Sequence, residues 1–517
     1  MTVEMKPVTL WSDTGRMEPE TGQRSDHEWK LQENTAADIA ERSSKTGMRR
    51  AVSILWKIIR LVLILFLIII LYNVLEPLLT RNPDQDQTVI FSRSDFEAGE
   101  AGDERIRCID DNEEALLWRL RMIGSARESI VLATFDLRPD ESGMDVMAAL
   151  FHAAEKGVKV KLLVDGIYEL PILRFSDEFH ALAAHENVEA RIYNPISPAS
   201  LLRVNYRMHD KYLMIDDEMY LLGGRNTNDI FLGDYQEVIN IDRDILVVGP
   251  EREKGSSFQE LEAYFAQIWD ESCVKEAGVL TDQEKYEAQK ESFCARYEKL
   301  KETYGDMESY GRWQQETEPA AHITLISNGT QAGKKSGKIL QTIRSITADA
   351  QDVTIQTPYA ICNKTLYQTL KEISTHADLK IIVNAVEKGS NPWGCTDYLN
   401  HRQDLLDTGA SMYELMNEQA VHTKTIVADQ NLSITGSYNL DMRSTYLDTE
   451  LMLVIDSEEL NAHIRTMNKE YMAKSREVLP DGTESEGALY QKKEISGTKG
   501  VIYQVLRVVI RPFRHLL

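Results

Sequence analysis

A chain of 517 residues with 43% hydrophobic residues can build two domains or one large pseudo-symmetric one around a substantial core. Its formal charge of −24 works against wrapping a polyanion such as DNA, although a local basic pocket on an acidic body still admits a nuclease. The five cysteines (Cys108, Cys273, Cys294, Cys362, Cys395) are too few and too scattered for a disulfide scaffold, and no zinc-ligand spacing joins them to histidines, so free structural thiols are expected.

Residues 1–48 are polar, rich in Glu, Ser and Thr, and are expected to be disordered. Residues 51–75, AVSILWKIIRLVLILFLIIILYNVL, follow, with no charge between Leu61 and Leu75. The run approaches the ~20 residues that cross a bilayer core, and Lys57 and Arg60 are placed to snorkel. No small-residue cleavage site follows, which predicts a signal-anchor rather than a removed signal peptide. Arg42, Lys45, Arg49 and Arg50 precede the span, while Glu76, Asp84 and Asp86 follow it. The positive-inside bias therefore predicts a single-pass plasma-membrane protein with a cytoplasmic N-terminus and its main body outside.

After a linker at 76–104, residues 105–250 read as strand (SIVLATFDL), amphipathic helix (GMDVMAALFHAAEKGV), buried strand (KVKLLVDG), helix (HALAAHENV) and strand (EARIYN). Residues 251–318 are charged with helical periodicity and look like a connector. Residues 319–480 then repeat the order of the first half, through DVTIQTPYA, KTLYQTLKEISTHA, LKIIVNAV, YLNHRQDLLDTGA and SMYEL. Alternating strands and helices with continuous apolar runs predict two α/β lobes built on mostly parallel sheets flanked by helices. The tail, 481–517, ends in GTKGVIYQVLRVVIRPFRHLL, a basic amphipathic helix that fits either an anionic membrane surface or the side of a domain.

The repeat extends to single residues. RMHDKYLMIDDEMYLLGGRN (207–226) aligns with VHTKTIVADQNLSITGSYN (421–439). His209 then matches His422, Lys211 matches Lys424, Asp216 matches Asp429, Gly224 matches Ser437 and Asn226 matches Asn439, all at one spacing. In an extended strand, residues i and i+2 share a face, so each His-Lys pair projects together. Packed about a pseudo-twofold axis, the halves would gather two imidazoles, two ammonium groups and two carboxamides around one phosphodiester. Lysine and asparagine donors would hold its non-bridging oxygens. One imidazole would attack phosphorus and the other would protonate the leaving oxygen. This chemistry needs no metal or other cofactor. Asp216 and Asp429 close strands at turns and read as turn residues. A carboxylate ahead of the next strand could orient each imidazole: Glu450 ahead of LMLVI, and Asp244, or Asp242 two residues earlier, ahead of ILVV. The remaining histidines, such as His152, His180 and His401, lack a partner pattern and read as structural.

The duplicated His-x-Lys-x4-Asp with its Gly-rich turn and Asn resembles the phospholipase D superfamily over roughly residues 105–480. RMHDKYLMID…GGRNTNDIF and GSYNLDMRSTYLDTELMLVI are similar to its bacterial cardiolipin synthase branch. The resemblance implies a covalent phosphohistidine, with His209 as nucleophile and His422 as general acid. It implies a phospholipid substrate at a membrane and a part in lipid metabolism; the apolar span, the basic tail helix and the acidic body favour lipid over nucleic acid, and no protein partner is named. The expected activity is a phosphatidyltransferase converting phosphatidylglycerol to cardiolipin and glycerol. The alternatives are a hydrolase releasing phosphatidic acid, a membrane-tethered nuclease, or a non-catalytic scaffold, the last opposed by two complete motifs. In the first copy Gly224 stands where the second has the hydroxyl of Ser437.

Overall fold

The computed structural model describes residues 26–80, 91–97, 102–249, 256–305, 307–495 and 497–517. The disorder expected of residues 1–25 and the linker positions Asp84 and Asp86 lie outside them. Two compact units divide the chain, residues 1–70 and 71–517.

In the first unit the chain is helical from Asp26, in a helix that continues to Leu79. Within Glu41–Leu79 an 18-residue window reaches a mean hydropathy of 2.9, and the helix is long and apolar enough to cross a membrane. Residues 26–48, expected to be disordered, are therefore helical. Once the span nucleates a helix, each added residue gains a hydrogen bond, and Glu41 supports the extension by an i,i+4 pair with Lys45 at 2.5 Å.

The second unit holds two lobes with matching sheets. The first sheet runs, edge to edge, Glu318–Pro319, Arg105–Ile109, Asp244–Val248, Met219–Gly223, Tyr212–Ile215, Ser129–Thr134, Lys159–Asp165, Val188–Tyr193, Val274–Glu276. The second runs His322–Ser327, Leu451–Asp456, Leu432–Gly436, Thr425–Ala428, Asp352–Gln356, Asp378–Asn384, Ser411–Leu415, Ser475–Val478, Glu484–Glu486. The α/β expectation holds for both lobes, but the sheets are mixed rather than mostly parallel. Within the two large sheets, parallel pairing is confined to the βαβ crossovers from Ser129 to Tyr193 and from Asp352 to Leu415. The hairpins that follow each crossover return antiparallel, because a tight turn can only reverse a strand.

Period-two alternation divides the cores. Leu213 and Ile215 face the first lobe's own helices, while Tyr212 and Met214 face a shared layer. That layer also takes Val427, Leu451 and Leu453 from the second sheet, and Phe258, Leu261 and Phe265 from helix Ser257–Trp269. The lobes are thus joined by a continuous apolar core rather than a tether. The segment expected as a connector is largely built into the first lobe. Phe293, Tyr297 and Leu300 of helix Gln283–Tyr304 enter its core, and Val274–Glu276 and Glu318–Pro319 extend its sheet. All five cysteines are unpaired, with Cys362 and Cys395 buried.

Candidate active site

Each histidine lies just before the first strand of its hairpin, and the end of a crossover strand fixes the backbone there. The carboxylate of Asp165 accepts the Met208 amide at 2.8 Å and pairs with buried Arg207 at 2.9 Å. In the second lobe, the side chain of Asn384 accepts the Val421 amide at 2.9 Å and donates to the Val421 carbonyl at 2.7 Å. Short backbone pairings then cross the lobe boundary. Met208 bridges to Thr449, and Ala420–Val421 pairs in parallel with Asn240–Ile241. The backbone beside each histidine is therefore held independently of the imidazole contacts.

The crossing continues in the side chains. His209 Nδ1 meets Glu450 at 3.0 and 3.1 Å, and His422 Nδ1 meets Asp242 at 2.6 Å. Each imidazole is oriented by a carboxylate from the other lobe; this leaves the Nε2 of His209 for chemistry, while that of His422 lies 3.2 Å from Lys424 Nζ. Of the two carboxylates expected ahead of ILVV, Asp242 meets the imidazole and Asp244 does not. Asp244 is fully buried and pairs with Arg119 at 2.9 Å and Arg225 at 3.2 Å. Strand register gives the reason: Asp244 lies opposite Gly223, whereas Met452, not Glu450, lies opposite the matching Gly436. The structural counterpart of Glu450 is thus Asp242.

The same register explains the Gly224–Ser437 difference. A Cβ at Gly224 would lie 2.4 Å from an oxygen of Asp242, so only glycine leaves room for that carboxylate. In the second copy the Ser437 hydroxyl instead donates to Glu450. Lys211 Nζ donates to the His209 carbonyl at 2.5 Å, and Lys424 Nζ lies 2.5 Å from His422 Nδ1 and 3.4 Å from Asp242. Asn226 and Asn439 are buried, each with a carboxamide oxygen lacking a protein partner. Leaving such an acceptor unmatched costs about 1–3 kcal/mol, which a hydrogen-bond donor on a ligand would recover. Asp216 and Asp429 lie apart from this chemistry, at left-handed turn positions (φ 50° and 51°). Asp216 accepts the amides of Arg127, Glu128 and Ser129, and Asp429 those of Gln351 and Asp352, tying each hairpin to the strand beside it.

Other contributors carried no motif. Phe135 stands edge-on to His209 with ring centroids 5.0 Å apart, and Phe231 does the same to His422 at 5.1 Å. Thr449 Oγ1 accepts the His209 amide at 3.2 Å and donates to Asp210 at 2.8 Å. Beside His422 opens a cavity of about 300 Å³, bordered by Asn240, Tyr359, Asn391 and Tyr398. Phe135 could have been suspected from its place after the SIVLAT strand, but only the fold shows which ring meets which imidazole. Elsewhere, Cys108, Asp110 and His463 cluster, with Asp110 bound to Arg243 at 2.7 Å.

Burial, followed by the charges of Lys211 and Lys424, holds the His209 pKa well below that of an ordinary imidazole. Burial and then Lys424 push His422 down to about 4, against the opposing pull of Asp242. Lys211 falls to about 7 through burial and, against the opposing pull of Glu450, the like charge of Lys424. For Asp242, burial acts upward, but Lys424 and His422 outweigh it and hold the group at about 2. Glu450 is instead raised to about 8, burial outweighing Lys211. The half-sites therefore differ electrostatically. Burial favours the neutral form of both imidazoles, and it disfavours the charged carboxylate more at Glu450 than at Asp242.

More than half of the sequence matches the family described as "Cardiolipin synthase, PLD-like domain", over residues 120–269 and 339–471. Cardiolipin synthase C of Escherichia coli K12 is 25% identical over 399 residues, 68% of this chain and 81% of its own. A cardiolipin synthase of Clostridium perfringens SM101 is 28% identical over 349 residues, 66% of this chain and 64% of its own. An uncharacterized Helicobacter pylori 26695 protein is 25% identical over 407 residues, 71% of this chain and 79% of its own. The crystal structure of phosphatidylserine synthase from Haemophilus influenzae matches in fold, with a TM-score of 0.56 and 13% identity, covering 80% of this chain and 95% of that one. Two repeated lobes, one composite site and a family match over both halves lead to one conclusion: the chain belongs to the phospholipase D superfamily of enzymes, in its cardiolipin synthase-like family.

Proposed function

We propose that the protein is a membrane-anchored phosphatidyltransferase that uses phosphatidylglycerol as both donor and acceptor and forms cardiolipin and glycerol. The observation that carries the reading is the pair of crossed contacts, His209 with Glu450 and His422 with Asp242, in a chain of this family. His209 Nε2 attacks phosphorus, a P–N bond forms, and the P–O bond to glycerol breaks. The departing oxygen takes its proton from His422. The terminal hydroxyl of a second phosphatidylglycerol then gives its proton to His422 and attacks phosphorus. The P–N bond breaks, and cardiolipin leaves with His209 neutral again.

Lys211, Lys424, Asn226 and Asn439 hold the non-bridging oxygens, where fixed donors act most strongly away from water. The bound anion also answers the acid–base problem posed by the resting site. Placed between the lysines, it offsets the positive charge that depresses His422, so that imidazole gains its proton when substrate is present. The basic residues before the span support a cytoplasmic N-terminus and lobes on the outer side.

Full-length protein in detergent, given phosphatidylglycerol alone, is expected to yield cardiolipin and glycerol in equal amounts without added metal. Phosphatidic acid as the sole lipid product would overturn the transferase reading and leave a hydrolase, with water as the acceptor.

A further inference from the structure

The helix Gly497–Val509 is packed on the second lobe by one side only. Tyr503 and Ile510, seven residues apart, are buried. Arg507 bonds to Asn400 at 2.9 Å, and Arg514 pairs with Asp397 at 2.6 Å. These contacts fix the rotation of the helix about its axis. The opposite side then presents Val501, Ile502, Val505, Val508 and Val509 to the exterior at 45–67% exposure, with Phe513 just beyond at 41%. A contiguous apolar stripe held outward on a rotationally locked helix is the kind of surface that marks an interaction site.

What lies beside it indicates its occupant. His515 Nε2 donates to the carbonyl of Val74 at 2.6 Å. Val74 belongs to the closing turns of the apolar helix, residues 71–79, which are packed on the lobes. Asn73 donates to the Leu201 carbonyl at 2.8 Å, Tyr206 to Glu76 at 2.6 Å, and Lys334 to the Pro77 carbonyl at 2.7 Å. The end of the membrane-length helix and the end of the tail therefore meet on one surface. That surface also adjoins the catalytic hairpins. Arg443, four residues after Asn439, donates to the carbonyls of Leu516 and Asn205 at 2.9 and 2.7 Å.

We infer that the outer face of helix 497–509 docks on the bilayer that the apolar helix enters, as an interfacial helix that seats the mouth of the site at the lipid surface. The inference rests on reading that apolar helix as a membrane span, and exposed Arg511 beside the stripe favours anionic headgroups. A single flexible tether would leave the lobes free to tumble over the membrane, whereas a second contact fixes which side faces the lipid. The burial of Tyr503 and the ion pair of Arg514 hold the helix in place on the second lobe.

The test uses the full chain reconstituted in vesicles of phosphatidylglycerol and phosphatidylcholine. p-Benzoylphenylalanine placed at Val505 or Val508 is expected to cross-link to phospholipid on illumination. The same group at Lys469, exposed on another helix, is expected not to do so. Absence of lipid adducts at both Val505 and Val508 would overturn the inference. This readout needs no turnover, so it stands or falls apart from the proposed reaction. As a second measurement, V505D/V508D is expected to lower turnover of bilayer phosphatidylglycerol at least tenfold and to leave turnover of monomeric dihexanoyl-phosphatidylglycerol unchanged. An equal loss on both substrates would show that the stripe supports the fold instead, and would also overturn it.

Discussion

Replacing Asp242 by asparagine keeps its size but removes the charge that meets His422 Nδ1 at 2.6 Å. A loss of about 10–100-fold in kcat is expected, the usual scale for a group that orients a reacting imidazole, with little change in melting temperature. Asp244→Asn should behave in the opposite way. It leaves Arg119 and Arg225 buried without a counter-charge, so a cost of about 3–5 kcal/mol in stability is expected, with kcat per folded molecule nearly intact. Measuring both variants by thermal unfolding and single-turnover kinetics separates the roles. If Asp244→Asn proved catalytically crippled and stable while Asp242→Asn did not, the register assignment would be wrong. At Gly224, alanine would place a methyl 2.4 Å from Asp242 and displace it. Gly224→Ala is expected to lose at least as much activity as Asp242→Asn, whereas Ser437→Gly gives up one hydrogen bond to Glu450 and is expected to cost about threefold to tenfold.

At the scale of elements, the hairpins were legible because their chemistry is carried by side chains at fixed spacing. His209 and His422, with their lysines, could be paired from the repeat alone. The orienting carboxylates were less legible. Asp242 and Asp244 both precede ILVV, and only cross-strand register separates them, since Gly223 pairs with Asp244 while Gly436 pairs with Met452. The strand sense was hidden for a similar reason. Continuous apolar runs report burial on both faces, which a mixed sheet between helices and a second sheet supplies as well as a parallel one. The lobe-crossing bridges at Met208–Thr449 and Val421–Ile241 join residues far apart in sequence and have no local signature. Asp216 shows what a turn residue contributes to its element. Its carboxylate holds three amides at 2.8–3.0 Å. Asp216→Ala is expected to destabilise the fold by about 1–3 kcal/mol, read by denaturant unfolding, with catalysis retained in the folded fraction.

For the whole molecule, two lobes share one apolar core and one site, so the charges of both act on any anion bound between them. Lys211, at about 7 in the free enzyme, loses its proton as the pH rises through neutrality. Affinity for inorganic phosphate analogues such as tungstate is therefore expected to weaken by up to tenfold per pH unit above about 7, measured by calorimetry. The Lys211→Met variant should bind more weakly and lose that pH dependence. Covalent trapping tests the two-histidine account most directly. A phosphatidyl ester of p-nitrophenol has a leaving group that needs no protonation, so His422→Ala can still form the intermediate yet lacks the base to discharge it. Quenched under alkaline conditions and digested, this variant is expected to carry one phosphatidyl group on the peptide containing His209, and none on His422→Ala/His209→Ala. Label on another residue, or turnover of this ester by His209→Ala at the wild-type rate, would contradict a phosphohistidine at His209.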